Sequence, residues 1–255
     1  IEGGADIISC LINEPLYQYK YLVRPLELEP NLAAALPEVS ADGLVYTIKL
    51  KKGIMFADDP CFPGGKGREL VAEDFVYSMK RQFDRRTGAR GTYLWKGKIV
   101  GMKKWSKRGA KYDKQVEGLK AISKYKIQIK LKEPFPGLIY TLTTAPSGVM
   151  AREVVEKYGK GIGVHPVGSG PFILKSFNTQ RAVLVKNPSY RGEVLNLDGY
   201  DEKIHGKYDI KKLNGKQIPM LDKIEYHFIR EITSLWNSFL KGNEIQFAVL
   251  PEQMN

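Results

Sequence analysis

The 255-residue chain is poor in the residues that most often build catalytic and metal centres. It has two cysteines and three histidines, and none recurs at the short spacing that a zinc site needs. No serine, cysteine or aspartate lies in a nucleophile elbow, and no phosphate-binding P-loop sequence is present. The sequence therefore predicts no catalytic residue, no metal site and no cofactor. Cys10 and Cys61 could form a disulfide in an oxidising compartment or remain separate thiols, and the sequence leaves both open.

Long hydrophobic runs are also missing. No stretch approaches the roughly 18–20 apolar residues that span a membrane, and Ile1-Glu2-Gly3-Gly4 lacks the basic and apolar regions of a signal peptide. Hydrophobic residues make up 43% and charged residues 27% of the chain, which is the balance of a globular protein rather than of a disordered one. Since the chain has no initiator methionine, we expect a processed or shortened product.

Negative charge is scarce relative to positive charge. The chain holds 40 Lys and Arg against 28 Asp and Glu, a net charge of +12. The excess lies in residues 96–132, where 13 Lys and Arg face only Asp113 and Glu117. Such a run fits either a solvated surface or an anionic partner. Because most of these cations are lysines with few aromatic residues for base stacking, the solvated surface is favoured. An anion- or nucleic-acid-binding module remains the alternative function.

Hydrophobic periodicity predicts a mixed order of strands and helices. Strands are expected over 44–50, 126–132, 172–177, 182–186, 221–229 and 245–249, and helices over 72–83, 151–158 and 232–240. A loop is expected over 191–218. The helical spacing of Phe75 with Met79, and of Leu235 with Trp236 and Phe239, predicts that these five side chains are core residues. This order supports an α/β or α+β fold with two subdomains.

Eight short motifs follow one another along the chain. Four lie in its first third: Glu14-Pro15-Leu16-Tyr17, L-E-P-N-L-A over 28–33, D-G-L-V-Y-T-I-K-L-K-K-G over 42–53 and L-V-A-E-D-F-V-Y-S-M-K-R over 70–81. The other four are P-V-G-S-G-P-F over 166–172, N-P-S-Y over 187–190, L-D-K-I over 221–224 and L-K-G-N-E-I-Q-F over 240–247. Together they resemble the motifs of the family 5 extracellular solute-binding proteins of ABC transporters, which include oligopeptide-, dipeptide- and nickel-binding proteins. The order of the motifs, more than any single one, carries the resemblance.

The resemblance implies an α/β fold: a periplasmic-binding-protein type II-like lobe with an inserted α+β subdomain. Residues 1–13 and 146–255 would form part of the first lobe, and residues 14–145 would form the inserted subdomain. The second lobe of such proteins is expected to be absent from this chain. Since these receptors close two lobes on their ligand, one lobe alone is expected to bind weakly.

The resemblance also implies a function. The chain would belong to the solute-binding receptor of an ABC import system, with peptides as the first expectation, and it would not be an enzyme. The implied partners are a peptide or a similar small solute and an ABC permease in the membrane, with no nucleic acid. The receptor would be monomeric and exported to the periplasm or the cell surface.

Seven residues are predicted to line the ligand cleft: Glu2, Gly3, Gly4, Tyr93, Gly168, Ser169 and Gly170. The first three resemble a cleft-lining segment of the family, and Tyr93 falls near a cleft-facing aromatic region. Peptides of varied sequence are best held through their backbones, and glycines expose N–H and C=O groups with little obstruction. Bulky substitution at Gly3 or Ser169 is therefore expected to weaken ligand binding and to leave thermal stability unchanged. Trp95 is either a further core residue or part of the cleft wall.

Overall fold

The computed structural model describes residues 8–229 and 231–243. In these ranges the strands form three antiparallel sheets. β1 (Tyr17–Tyr19) pairs with β2 (Leu28–Pro30). β3 (Glu38–Val39), β4 (Val45–Lys49), β5 (Leu119–Ser123) and β6 (Lys126–Lys130) form a sheet in the order β3-β4-β6-β5. β7 (Phe172–Phe177), β8 (Arg181–Lys186) and β9 (Lys223–His227) form the third sheet in chain order.

Six α-helices of the described residues connect or cover these sheets. They are α1 (Ala72–Phe83), α2 (Met102–Lys107), α3 (Leu138–Thr141), α4 (Arg152–Tyr158), α5 (Glu202–His205) and α6 (Ile232–Leu240). Residues 8–12 are also helical. Within the described ranges, no helix has both the length and the apolar character needed to cross a membrane.

Helix α1 begins where the sequence predicts, although its first flanking residue has no polar side chain. Val71 precedes the helix, and the Asp74 carboxylate accepts the Val71 backbone N–H at 2.9 Å. Asp74 also accepts two hydrogen bonds from the Arg68 guanidinium, at 2.7 and 2.9 Å. An acidic residue in the first turn interacts favourably with the positive end of the helix dipole. The predicted core positions Phe75 and Met79 are both buried.

The four-stranded sheet follows from strict alternation in β4 and β6. Tyr46 and Ile48 are buried on one face of β4, and they lie opposite Ile129 and Ile127 of β6. The turn before β4 depends on Gly43, whose φ of +68° lies in the left-handed region that favours glycine. The strands predicted over 44–50 and 126–132 are therefore confirmed, each with slightly shorter bounds.

The buried apolar residues form two clusters. The larger one combines residues between Leu16 and Val167 and lies between the four-stranded sheet and α1. The smaller one consists of Ile8, Ile12, Phe172, Ala182 and Leu184. No described sheet runs across the predicted boundaries of the inserted subdomain. However, Val149, Ala151, Val154 and Val167 pack in the larger cluster, so the division into 1–13 with 146–255 and 14–145 stays a prediction.

Some elements differ from the expectation. The pattern missed β1, β2, β3 and β5, which are short and mostly half-buried or exposed, and so lack a clear apolar face. The expected loop over 191–218 contains α5. In α6, Leu235, Trp236 and Phe239 are half-buried, neither exposed nor fully buried, so their assignment to the core stays a prediction. The strand expected over 245–249 lies outside the described residues.

Candidate ligand-binding site

The glycine loop (Gly168–Gly170) precedes β7 and packs against the helical segment near the start of the described chain. A Cβ atom at Gly168 would lie 1.9 Å from the carbonyl oxygen of Ile12, and one at Gly170 would lie 2.3 Å from that of Leu11. The Gly170 N–H donates to the Ile12 carbonyl at 2.9 Å. These glycines are therefore needed where two stretches of the chain itself approach each other closely.

Most polar groups of the glycine loop have partners within the protein. The Gly168 carbonyl accepts the Ala57 N–H at 2.9 Å, and the Gly170 carbonyl accepts the Asn187 side-chain amide at 2.8 Å. Ser169 is 1% exposed, and its hydroxyl donates to the Glu14 carboxylate at 2.9 Å. Bulky substitution at Ser169 would therefore perturb a buried contact, contrary to the expectation of unchanged stability. Contact between this loop and a ligand stays a prediction.

Ser169 joins a buried network, the Arg191 cluster, whose members are Glu14, Asn31, Lys51, Ser169, Arg191 and Glu193. Arg191 donates to both Glu14 oxygens, at 2.6 and 2.9 Å, and to the Asn31 side-chain oxygen at 2.8 Å. The side chains of Arg191 and Glu14 are only 15% and 5% exposed. The cluster thereby fixes four separate chain segments relative to the glycine loop.

The electrostatics of the Arg191 cluster follow from burial and pairing. Burial raises the pKa of the Glu14 carboxyl, while the hydrogen bonds and the charge of Arg191 oppose that shift. Burial is the largest single influence on Arg191 and would lower its pKa, but the hydrogen bonds and charge of Glu14, together with the charges of Tyr190 and Glu193, raise it. Burial would also raise the pKa of Glu193, yet Lys51 and Arg191 lower it. The paired charges position the loop and offer no nucleophile or proton relay.

Tyr93 lies on a different turn, and its side chain is 73% exposed. A Cβ at the neighbouring Gly91 would lie 2.3 Å from Pro146 Cβ. Gly148 follows Pro146 by two residues, and a Cβ at Gly148 would lie 2.6 Å from the Asn13 carbonyl oxygen. The turn that contains Pro146 and Gly148 thus packs on one side against the Tyr93 turn. It also packs against the segment around Asn13, on which the glycine loop packs as well.

Two buried side-chain oxygens in the described ranges have no hydrogen-bond partner, and both belong to this region. They are Asn13 Oδ1 and Gln82 Oε1. A Cβ at Gly168 would lie 2.8 Å from Asn13 Oδ1, and one at Gly91 would lie 2.8 Å from Gln82 Oε1. A buried acceptor without a donor costs about 1–3 kcal/mol. The sequence offered only a faint signal for Asn13, its place directly before the first motif, and none for Gln82.

The remaining predicted residues have separate outcomes. Glu2, Gly3 and Gly4 lie outside the described residues. Trp95 is fully buried, and its indole N–H donates to the Thr141 hydroxyl at 2.7 Å, so it is a core residue rather than a cleft wall.

The two cysteines, Cys10 and Cys61, are not joined to each other by a disulfide. Burial raises the pKa of the Cys61 thiol to about 12, which keeps it protonated and unreactive. Over the part of the chain that the structure describes, no three His, Cys, Asp or Glu side chains are grouped to hold a metal ion.

Comparison with known families and sequences gives a consistent result. The profile of the bacterial extracellular solute-binding proteins, family 5 Middle, matches residues 27–254. The glutathione-binding protein GsiB of Escherichia coli O1:K1 is 31% identical over 182 residues, covering 71% of this chain. The chain spans about 30% of the length of this curated relative.

Solved structures show the same fold. An oligopeptide-binding protein from Borrelia burgdorferi matches 95% of this chain with a TM-score of 0.71 and 24% identity. The peptide-bound oligopeptide-binding protein OppA of Listeria monocytogenes matches 95% with a TM-score of 0.68 and 22% identity. The matches cover 42% and 41% of those two chains. The lobe-type α/β fold expected from the motifs is therefore confirmed.

Proposed function

Because the chain belongs to family 5 of the bacterial extracellular solute-binding proteins, we propose that it is part of a receptor that captures a peptide or a similar small solute. The family match over residues 27–254 carries this proposal. The family consists of binding proteins rather than enzymes, which confirms the expectation of a non-enzymatic role. The name of the GsiB relative refers to glutathione, a small peptide, and supports the peptide class. The receptor would deliver its solute to an ABC permease.

The proposed site lies where the Tyr93 turn and the glycine loop flank the turn that contains Pro146. Peptides carry backbone N–H groups and an N-terminal ammonium group, all of which are donors. The unpartnered oxygens of Asn13 and Gln82 are buried, so they would accept hydrogen bonds from such donors only after neighbouring groups move aside. Tyr93 would add an exposed aromatic surface with one polar group. Glu2, Gly3 and Gly4 complete the proposed site by the family resemblance.

An NMR titration of the isotope-labelled chain with glutathione and with a mixture of tri- to pentapeptides tests this site. One lobe supplies only part of the contacts in a two-lobed binder, so we expect dissociation constants of about 1 mM. Amide shifts should concentrate at Asn13, Gln82, Tyr93 and the glycine loop. Shifts confined to other surfaces would contradict the site, and no shift with any peptide at saturating concentrations would contradict the peptide class.

A matched pair of variants sharpens the test. Tyr93→Ala removes an exposed side chain from the proposed site, and Tyr208→Ala removes one of similar exposure elsewhere. We expect the first to weaken peptide binding about threefold to tenfold and the second to leave it unchanged, with both variants melting near the parent temperature. Equal effects on binding would remove Tyr93 from the site.

The location and the assembly state complete the proposal. The family is extracellular, and we place this chain in the periplasm or at the cell surface. We expect a monomer, because a hinge-type receptor binds its ligand between two lobes of one chain. Sedimentation equilibrium gives the mass in solution, and a dimer at micromolar concentration would contradict this part of the proposal.

A further inference from the structure

Helix α2 presents a strongly basic surface that solute binding does not use. Its apolar residues Met102 and Trp105 are three positions apart and are both buried. Lys103, Lys104 and Lys107 are consequently on the outer side and exposed. The α2 basic surface comprises seven exposed cations: Lys103, Lys104, Lys107, Arg108, Lys111, Lys114 and Lys132.

Two open depressions flank α2 within this surface. The first has a volume of about 470 Å³ and is lined by five of the cations together with Gly101. The second has a volume of about 510 Å³ and also includes Glu117. Lys104 and Arg108 border both depressions. The positive charge is therefore spread over a broad, shallow area rather than gathered in one deep pocket.

The neighbouring carboxylates leave this charge uncompensated. Asp113 pairs with Arg152 at 2.8 Å, and Glu117 lies 4.0 Å from Lys130. Across the described residues, no carboxylate forms an ion pair with any of the seven cations. Because like charges this close repel one another, the surface favours association with an anion.

The details of the surface distinguish among anionic partners. The Trp105 indole is buried and donates to the Lys111 carbonyl at 2.9 Å, so it offers no platform for stacking bases. Helix α2 has six residues, about 9 Å, which is short for reading a nucleic-acid groove. Six of the seven cations are lysines, whose flexible point charges suit a diffuse layer of phosphates better than bidentate recognition.

We propose that the α2 basic surface binds the anionic phospholipid headgroups of a membrane. Its breadth lets several headgroups engage at once, and its two depressions accept phosphate groups on either side of the helix. Lysines near an anionic bilayer each strengthen binding, and the interaction is confined to about a Debye length. Such binding would hold the protein at the bilayer surface independently of its solute.

Vesicle sedimentation tests this proposal with two lipid compositions: phosphatidylcholine alone, and equal parts of phosphatidylcholine and phosphatidylglycerol. We expect the chain to bind only the anionic vesicles. Raising the salt from about 0.05 M to about 0.5 M should release it, because screening shortens the electrostatic range. Equal binding to both compositions, or no binding to anionic vesicles at about 0.15 M salt, would overturn the proposal.

Two triple variants of equal net charge separate a local surface from overall charge. Lys103→Gln, Lys104→Gln and Lys107→Gln remove charge from the α2 basic surface. Lys175→Gln, Lys203→Gln and Lys216→Gln remove the same charge from exposed lysines elsewhere.

At roughly fivefold per lysine, the first triple variant should bind anionic vesicles about a hundredfold more weakly, and the second less than threefold. Equal losses of vesicle binding in the two triple variants would refute the proposal of a specific surface. Stronger binding to a duplex or single-stranded oligonucleotide than to anionic vesicles would identify the partner as nucleic acid and likewise overturn the proposal.

Discussion

Replacing Arg191 by methionine would break the buried ion pair that holds the glycine loop. The variant loses two hydrogen bonds to Glu14, one to Asn31 and one to Glu193. Glu193 keeps Lys51 at 2.5 Å, whereas Glu14 is left buried with only the Ser169 hydroxyl. Removing one partner of a buried pair costs about 3–5 kcal/mol. We expect a loss in this range in the free energy of unfolding at pH 7.

The stability lost in Arg191→Met should depend on pH in a defined direction. Burial already raises the pKa of Glu14, and without Arg191 nothing of opposite charge opposes that shift. A group whose pKa is raised in the folded state contributes stability at low pH and loses it as the pH rises through that pKa. Arg191→Met should therefore be less destabilising at pH 5 than at pH 7. Adding Glu14→Gln should recover part of the loss at pH 7.

Urea unfolding followed by circular dichroism measures these free energies. Arg181→Met is the matched control, because Arg181 forms an exposed pair with Glu225 at 3.4 Å, and such pairs contribute less than about 1 kcal/mol. A loss below 1 kcal/mol for Arg191→Met would refute the reasoning. A loss of stability that is larger at pH 5 than at pH 7 would also refute it. So would a double variant, Arg191→Met with Glu14→Gln, whose loss equals the sum of the two single losses.

Two further predictions concern single positions. Gly168→Ala should destabilise the fold by about 2 kcal/mol or more, because its Cβ would overlap a backbone carbonyl. As a control, Gly163→Ala places its Cβ in open space and should change the free energy of unfolding by no more than about 0.5 kcal/mol. Equal melting temperatures for the two variants would contradict the packing argument. Hydrogen bonds from Arg86 lower the pKa of Asp84 to about 2. Asp84→Asn should therefore lower the free energy of unfolding by about 1 kcal/mol at pH 7, and this difference should vanish as the pH falls towards 2. A difference that stays constant with pH in chemical unfolding would contradict this prediction.

Local elements were predictable because their signals are local. The apolar stripe of α1 and the alternation in β6 each lie within about a dozen residues, and both elements appear where expected. The family motifs likewise indicated the fold class. The half-buried face of α6 shows the limit, since spacing predicts which side chains share a face but not how completely a neighbour covers that face.

The site was less predictable because its contacts join distant positions. Periodicity carries no information that Glu14 and Arg191 form a buried pair across the length of the chain. The glycine loop illustrates a second difficulty. A glycine pattern indicates that something approaches the backbone closely, but the pattern is the same for a ligand and for another part of the chain. At Gly168 and Gly170 the structure reveals contacts with the chain itself.

The pairing of β4 with β6 also has a consequence for synthesis of the protein. Thr47 lies opposite Gln128, about eighty residues later. A ribosome adding about 5–20 residues per second makes β6 roughly 4–16 seconds after β4. Throughout that interval Tyr46 and Ile48, buried in the finished sheet, have no central partner strand to cover them. The emerging chain therefore leaves the β6-facing edge of β4 unpaired for seconds.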